Sequence, residues 1–428
     1  MSGVNRGAVV TLTVEKAVAG GRMLARHEGR VVLVWGALPG ERVAARIDRV
    51  VKQMAWGTTV EVLEASPERR PVTQDWRCGG HVYAHAAYAH QVAMKGAVIL
   101  DALNRIGRLG WSSLPPVMAS PEVGYRMRTR LHVQGRKIGF YREETHEICD
   151  AAGTGQCLPE TVAAIDWVRT ALEGDQLRGV TSLDIAENAA GTDRVCHLEL
   201  GAQGAPDAAA GLLDVPGVTG VVATTGGTYS PVAGATAVAE AVRAGAASAA
   251  PLVTLRRDPR AFFQGNRHLL QALVSQVHAA VTDGPVFDLY AGVGLFGLTL
   301  AAGRRARVTL VEGDPVSGAD LVANAVASGT AVQACRLPVE DFLRSAPPEA
   351  ATVVVDPPRT GMSREALDRL VALRSPRIVY VSCDPPTFAR DAALFTAAGY
   401  GLNSVQGFDL FPNTAHVELV AVLDRRAN

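Results

Sequence analysis

Beyond residue 285 the chain carries five short apolar runs, each closed by a polar or turn residue, and these most limit what it can fold into. They read VFDLYAGVG, VTLVEGD, ATVVVDPPRTG, RIVYVSCDPP and VELVAVL. Runs of this length, rich in Val, Ile, Phe and Tyr, fit strands buried on both faces. Helical segments separate them, so the alternation predicts a parallel sheet covered by helices on both sides. Strands of such a sheet end at one shared edge, where ligands bind. Asp288, Glu312, Asp356 and Cys383 all fall at those ends.

The first run leads into Gly292 and Gly294 and then a helix, VFDLYAGVGLFGLTLA. Glycines there allow a tight turn and close approach of the backbone to a ligand at a helix N-terminus. Glu312, at the end of the second run, suits the two hydroxyls of a ribose. Two cofactors match the pattern, a nicotinamide dinucleotide or S-adenosylmethionine. Gly292, Gly294 and Gly297 can be read as the dinucleotide fingerprint, but Asp288 before the loop would repel a pyrophosphate and suit an ammonium group. S-adenosylmethionine is therefore the expected cofactor. Asp356, locked by Pro357 and Pro358, opens onto the same crevice; a capping Asp in a rigid turn is the structural alternative.

Cys383 closes the strand Arg377–Val381, and Pro385 and Pro386 predict a turn directly after it. A buried small hydrophobe is the plain reading of such a cysteine. Its place on the edge shared with the Gly loop favours a nucleophile instead. A thiol beside a methyl donor suits an electron-poor pyrimidine: adding sulfur to carbon 6 makes carbon 5 nucleophilic, and a base must then remove the carbon 5 proton. Glu418, inside the apolar run VELVAVL, is the candidate base, since an unpaired carboxylate in a strand is costly. His416, two residues earlier, is a pocket residue or a structural partner.

Residues 8–64 alternate short β-rich runs with Gly turns, which predicts a small barrel or sandwich; open five-stranded barrels of this size often bind oligonucleotides. A linker follows at Ser66–Pro71, then helical periodicity from 91 to 108, and a strand pair over 124–142 turning near Gly135. Residues 150–250, Ala- and Gly-rich, predict mixed α/β structure. The expected domains are thus 1–66, 67–255 and 256–428. Net charge is zero, yet residues 1–150 hold 21 of the 42 Lys and Arg and only 14 of the 42 Asp and Glu. That basic front end suggests an anionic partner. No apolar run is long enough for a membrane span and no secretory signal opens the chain. The six scattered cysteines, 78, 149, 157, 196, 335 and 383, read as free thiols of a reducing cytoplasm.

GYRMRTRLHV, FFQGN, FDLYAGVGLFGL, VVVDPPRTG, VYVSCDPPTFARDAALF and FDLFPNTAHVELV together resemble the RNA 5-methyluridine methyltransferases, which act on tRNA or 23S rRNA. The resemblance spans most of the chain. It implies an N-terminal TRAM-like barrel, a central RNA-binding domain, and a C-terminal Rossmann-like class I methyltransferase domain, with the helix near 91–120 packing on the last of these. It implies Cys383 as nucleophile, Glu418 as proton acceptor, and Gln264, Tyr290, Glu312 and Asp356 around cofactor and target base. Arg126, Arg128, Arg130 and Arg142 become candidate RNA contacts, although alternating arginines on a strand are usually a solvated face. Relatives commonly have Asn where Leu295 stands. The iron–sulfur branch carries four cysteines; here Cys78 and Cys157 resemble two of them, but His81 and Val72 stand at the others, so no cluster is expected. The implied activity is methylation of uridine carbon 5 in rRNA or tRNA, without a membrane or an obligate protein partner. RNA cytosine carbon 5 methylation, or an RNA-binding chaperone with a decayed catalytic domain, are the competing readings.

Overall fold

The computed structural model describes residues 5–202, 204–304, 307–347 and 350–426. Strands β1 (Val9–Ala17), β2 (Met23–His27), β3 (Arg30–Trp35), β4 (Arg42–Val51) and β5 (Met54–Glu64) close into a barrel of order β1-β2-β3-β5-β4. The period of two in β1 sends Val10, Leu12 and Val14 into the barrel and the intervening residues to solvent. Pairing of β1 back onto β4, from Val9 opposite Arg46 to Thr13 opposite Arg42, removes the free edges that an open barrel would keep.

The chain then forms helix α1 (Tyr88–Asp101), which ends in a π-helical turn over Ala102–Ile106, and a two-residue strand β6 (Val117–Met118). Strands β7 (Arg128–Gln134), β8 (Lys137–Tyr141) and β9 (Ile148–Cys149) precede helix α2 (Pro159–Glu173). Next come β10 (Val180–Glu187), β11 (Arg194–Leu200), β12 (Val218–Thr225) and β13 (Thr228–Gly234). The turn between β7 and β8 uses Gly135 at φ +62°, a conformation that favours glycine. The seven strands form one sheet of order β13-β12-β11-β10-β7-β8-β9. Leu131, Leu183, Cys196, Leu198 and Val221 on one face bury against Ile165 and Val168 of α2.

A hairpin of β14 (Val238–Arg243) and β15 (Leu252–Arg257) leads into the C-terminal domain. Val242, Val253 and Leu255 of that hairpin belong to the C-terminal core, so the expected boundary at 255/256 falls within one packed unit. Alternation then follows: α3 (Leu270–Ala280), β16 (Val286–Leu289), α4 (Leu295–Arg304), β17 (Val308–Val311), α5 (Pro315–Ser328) and β18 (Val332–Cys335). It continues with α6 (Val339–Ser345), β19 (Thr352–Val355), α7 (Arg364–Leu373), β20 (Arg377–Ser382), α8 (Pro385–Ala397), β21 (Tyr400–Phe408) and β22 (Glu418–Arg425). The sheet order is β18-β17-β16-β19-β20-β22-β21-β6.

This sheet corrects the all-parallel expectation. β22 runs antiparallel to β20, with Ser382 opposite Leu419. The reversal matters: it brings the first residue of β22, Glu418, to the end of the sheet where β20 finishes and Cys383 begins. Glu418 is thus a strand-opening residue rather than an interior one. Pro385 and Pro386 also act differently from expectation, because they open α8 instead of turning the chain away. Proline lacks only an N–H that the first helical turn leaves unbonded anyway, and Asp384 caps the helix by accepting from the Thr387 N–H at 2.8 Å.

Helix α1 crosses from the central segment onto the C-terminal domain. Its Ile99 and the following Leu103 bury among Phe388, Phe395 and Leu419. β6 adds to the same sheet, with Val117 opposite Gly407 and Met118 opposite Phe408. Lys95 of α1 is fully buried against Asp409, Nζ to Oδ1 at 2.5 Å, and also donates to the Phe411 carbonyl at 3.0 Å. Gln91 of α1 accepts from the Asn413 N–H and donates to its Oδ1. One helix therefore fixes the loop 409–417 that delivers Glu418.

The expectation of six free thiols is overturned at one pair: Cys78 and Cys149 form a disulfide across 71 residues. The linker around Cys78 bridges Arg142, and the Gly79 N–H bonds the Tyr141 carbonyl, so the two thiols arrive on adjacent backbone segments. Cys157, Cys196, Cys335 and Cys383 are free. Among the described residues, no group of three or more His, Cys, Asp and Glu is arranged to hold a metal ion. Closing a loop of this length stabilises the folded state by about 2–4 kcal/mol. Cys149→Ala should lower the urea midpoint of the wild type, and reducing the wild type should lower it to the same value while leaving the variant unmoved.

Candidate active site

The carboxyl ends of β16, β17, β19 and β20 surround a cavity of about 790 Å³. Tyr290, Gly292, Glu312, Asp356, Cys383, Glu418 and Gln264 all line it. They come from six stretches of chain, Tyr290 and Gly292 sharing one loop, and the sheet edge is what gathers them. Gly292 sits at φ +56°, and nothing stands within 4 Å of where a side chain there would project, which leaves a backbone cradle beside the cavity. The Gly292 N–H donates to Oε2 of Glu312 at 2.8 Å, and the Asp314 N–H donates to Oε1 at 2.7 Å. Glu312 is thereby held with lone pairs still facing the cavity. Tyr290 is half-buried at φ +61°, a backbone state uncommon for a bulky residue and one that clusters at binding sites.

Asp288 departs from the expected role. It is fully buried beneath the Gly loop and does not line the cavity. One oxygen accepts from the Gly297 N–H at 2.8 Å, and Oδ1 has no partner. Burial, only partly offset by that bond, pushes its carboxyl up to about 8. Folded protein binds the proton more tightly than unfolded chain, so this group's contribution is fully present below pH 4 and is lost as pH rises through about 8. Asp288→Asn should flatten that decline: thermal melts should show the variant gaining on the wild type between pH 5 and pH 9. A variant that loses stability equally at every pH would contradict the assignment.

The reactive end of the cavity is crowded with acids. Glu418 is 3% exposed and its carboxyl lies well above the ordinary range through burial and then Asp356. Asp356 is pushed up to about 7 by burial, against the hydrogen bond that Nε2 of Gln264 donates to its Oδ2 at 3.2 Å. The Cys383 thiol is pushed up to about 12 by burial, then by Glu418, with Arg359 acting the other way. Arg359 is a residue that the sequence reading passed over. It lines the cavity, and its backbone is pinned to α8 where Thr387 Oγ1 donates to its carbonyl at 3.1 Å. Arg390 holds the next carbonyl, Thr360, at 3.1 Å. The signal was present in VVVDPPRTG as a cation one residue beyond the prolines.

The arginines on and around β7 and β8 divide. Arg128 lines the cavity and donates to the Arg260 carbonyl at 3.3 Å. Arg126 does not; it lies over Phe140 and Phe411 and donates to Oε1 of Gln156 at 2.6 Å. Arg130 is 62% exposed and 3.9 Å from Asp184, and Arg142 pairs with Asp75 and Glu147. His416 is exposed and outside the cavity lining, its ring packed edge-on to Phe411 with the ring centres 6.1 Å apart.

Comparison with known proteins meets this geometry from outside. Residues 252–426 match the family model described as tRNA (Uracil-5-)-methyltransferase, and residues 3–60 match the TRAM domain. Over nearly its whole length the chain is 32% identical to an uncharacterized RNA methyltransferase of Gloeobacter violaceus, covering 98% of this chain and 97% of that one. It is 30% identical to the 23S rRNA (uracil(1939)-C(5))-methyltransferase RlmD of Methylococcus capsulatus, covering 96% of each. The chain belongs to the RNA (uracil-5-)-methyltransferase family.

For this methyltransferase the same fold occurs in the solved structure of the Pyrococcus abyssi tRNA (uracil-54, C5)-methyltransferase in complex with S-adenosyl-L-homocysteine. The TM-score is 0.74 at 23% identity, covering 96% of this chain and 100% of that one. The methyltransferase thus places its TRAM domain in the closed barrel and its family-model region on the eight-stranded sheet. Leu295 follows the Gly loop as a buried, cavity-lining side chain with no hydrogen-bonding group of its own. Any polar contact at that position must therefore come from a neighbour.

Proposed function

We propose that this enzyme methylates carbon 5 of a uridine in structured RNA, rRNA or tRNA, through a transient bond between the Cys383 sulfur and carbon 6. The observation that carries the reading is that Cys383, Glu418, Glu312 and the Gly292 backbone line one cavity. S-adenosylmethionine, when bound, supplies the electrophilic methyl group. The free backbone at Gly292, the carboxylate of Glu312 and the ring of Tyr290 are the groups that would hold it, Glu312 by accepting from ribose hydroxyls.

The residues divide the remaining work. Cys383, protonated at neutral pH because burial and Glu418 disfavour the thiolate, loses its proton to water as sulfur bonds to carbon 6, and the electrons of the ring double bond move towards carbon 5 and its neighbouring carbonyl. Arg359 faces the developing charge from the rim. Carbon 5, now electron-rich, takes the methyl group and then carries both that group and its original proton. Glu418 accepts this proton, the electrons of the carbon–hydrogen bond restore the ring double bond, and sulfur leaves as the thiolate, which takes a proton back from water. Burial and then the Asp356 carboxylate hold the Glu418 carboxyl above the ordinary range, so Glu418 once ionised is a stronger base than an ordinary carboxylate. Gln264 fixes Asp356, and both stand where the edge of a uracil would be read. Reaching this cavity requires the base to leave its stack, as enzymes acting on ring atoms generally require.

Incubation with unmodified bacterial RNA and methyl-labelled S-adenosylmethionine, followed by nucleoside mass spectrometry, tests the reading. Label is expected in 5-methyluridine. Label in 5-methylcytidine, or on a ring nitrogen, would contradict it.

A further inference from the structure

The chain re-enters the C-terminal sheet at Glu418, which pairs with Phe408 where β21 and β22 meet the loop 409–417. That loop is bonded by residues far earlier in the chain. Lys95 donates to Asp409 Oδ1 at 2.5 Å and to the Phe411 carbonyl at 3.0 Å. The Tyr125 hydroxyl donates to the Pro412 carbonyl at 3.2 Å, and the Tyr83 N–H to the Asn413 carbonyl at 2.8 Å. Gln91 accepts from the Asn413 N–H and donates to its Oδ1, both at 2.9 Å. Arg70 donates to the same Oδ1 at 2.8 Å. Asn413 stands at φ +64°, a left-handed conformation uncommon for a residue with a side chain, and these bonds hold it there.

Two of these anchors share one platform. Gln91 and Lys95 stand at i and i+4 on α1 and so face the same way. The helix itself is fixed from both sides: Met94 and Val98 bury in the barrel core, and Ile99 buries in the core of the C-terminal sheet. Both anchoring side chains are fully buried. Burying an ammonium beside a carboxylate costs desolvation that Met or Leu in the same space would avoid, so packing alone does not account for the Lys95–Asp409 pair. What directed bonds add is one loop geometry. The other reactive groups are held separately. Cys383 follows β20 and precedes the Asp384 cap of α8, while the Gly292 N–H and the Glu312 carboxylate bond each other.

We infer that Gln91 and Lys95 are positioning residues for removal of the carbon 5 proton, holding the loop so that Glu418 meets that proton once sulfur has bonded to carbon 6. Neither lines the reactive cavity, so both act through the loop, whose Phe411 does line it. The inference rests on the proposed reaction, in which Cys383 forms the adduct and Glu418 resolves it. In the step concerned the carbon–hydrogen bond breaks, the proton passes to the Glu418 carboxylate, the electron pair restores the ring double bond, and sulfur leaves. With the loop loosened, adduct formation and methyl transfer proceed and this last step slows.

The test compares the full chain with Gln91→Met, which keeps an unbranched side chain in the same space and loses both bonds to Asn413. The substrates are 23S rRNA and tRNA transcribed in vitro. The variant's kcat is expected to fall about 10- to 100-fold, the scale of a misplaced catalytic group, with KM for RNA and calorimetric affinity for S-adenosylhomocysteine unchanged. Deuterium at uridine carbon 5 should slow the variant more than the wild type, because proton removal limits its turnover. On RNA carrying 5-fluorouridine, where there is no such proton to remove, variant and wild type should be trapped at the same rate. Asn413→Gly keeps the left-handed backbone and loses only the side-chain bonds, so the same pattern should appear with a smaller fall in kcat. Should Gln91→Met fail to bind S-adenosylhomocysteine, Asn413→Gly decides by the same readings. Turnover within about threefold of the wild type, an equal loss of trapping and turnover, or an unchanged isotope effect would overturn the positioning role. A wild type that 5-fluorouridine RNA does not trap would instead remove the proposed reaction on which this role rests.

Discussion

Cys383→Ala is expected to lose methyl transfer by at least roughly 10⁴-fold, the scale set by removing a covalent nucleophile, while keeping its affinity for S-adenosylhomocysteine. The thiol is half-buried after β20, and the residues proposed to hold the cofactor lie on β16, β17 and the loops that follow them. The variant removes one sulfur atom and no hydrogen bond that positions Glu312 or Gly292. Single-turnover transfer to RNA, read beside calorimetry of the cofactor product, separates the two effects. If the variant transferred methyl groups within tenfold of the wild type, carbon 5 would have to be activated by some other group.

Glu418→Gln should behave differently, because the step proposed for it follows the carbon–sulfur bond. Turnover is expected to fall by about 10²- to 10⁴-fold, with a covalent protein–RNA species accumulating that is scarcely seen in the wild type. The same substitution has a second consequence. Glu418 is, after burial, the main cause that pushes the Cys383 thiol up to about 12. A neutral amide removes that repulsion, so the thiol should ionise at lower pH, and iodoacetamide should label Cys383 faster in the variant at pH 8. Slower turnover with neither an accumulated adduct nor faster labelling would assign Glu418 a packing role.

Much of this arrangement was legible because strand ends in a wound sheet share an edge. The pattern of VFDLYAGVG, VTLVEGD, ATVVVDPPRTG and RIVYVSCDPP was enough to expect the Gly292 loop, Glu312, Asp356 and Cys383 on one side of the molecule, where they lie. The direction of β22 was not legible, since an apolar run reads the same either way. Nor was the role of α1: Lys95 and Gln91 lie on a helix whose periodicity announces an apolar face, but only the fold reveals Asp409 and Asn413 as their partners. Asp288 misled for a related reason. Position at a strand end says which edge a residue is near, not whether its side chain points up into the cavity or down beneath the loop. The disulfide was hidden too, because Cys78 and Cys149 stand 71 positions apart in a sequence that carries no sign of their adjacency.

The most direct test of the covalent step is an RNA in which the target uridine is replaced by 5-fluorouridine. Fluorine cannot leave carbon 5 as a proton does, so the wild-type enzyme should stop as a stable protein–RNA complex that carries one transferred methyl group. Peptide mapping should place the nucleotide on the sulfur of Cys383. A substrate that is methylated elsewhere and released, or a complex joined through any other residue, would contradict the mechanism.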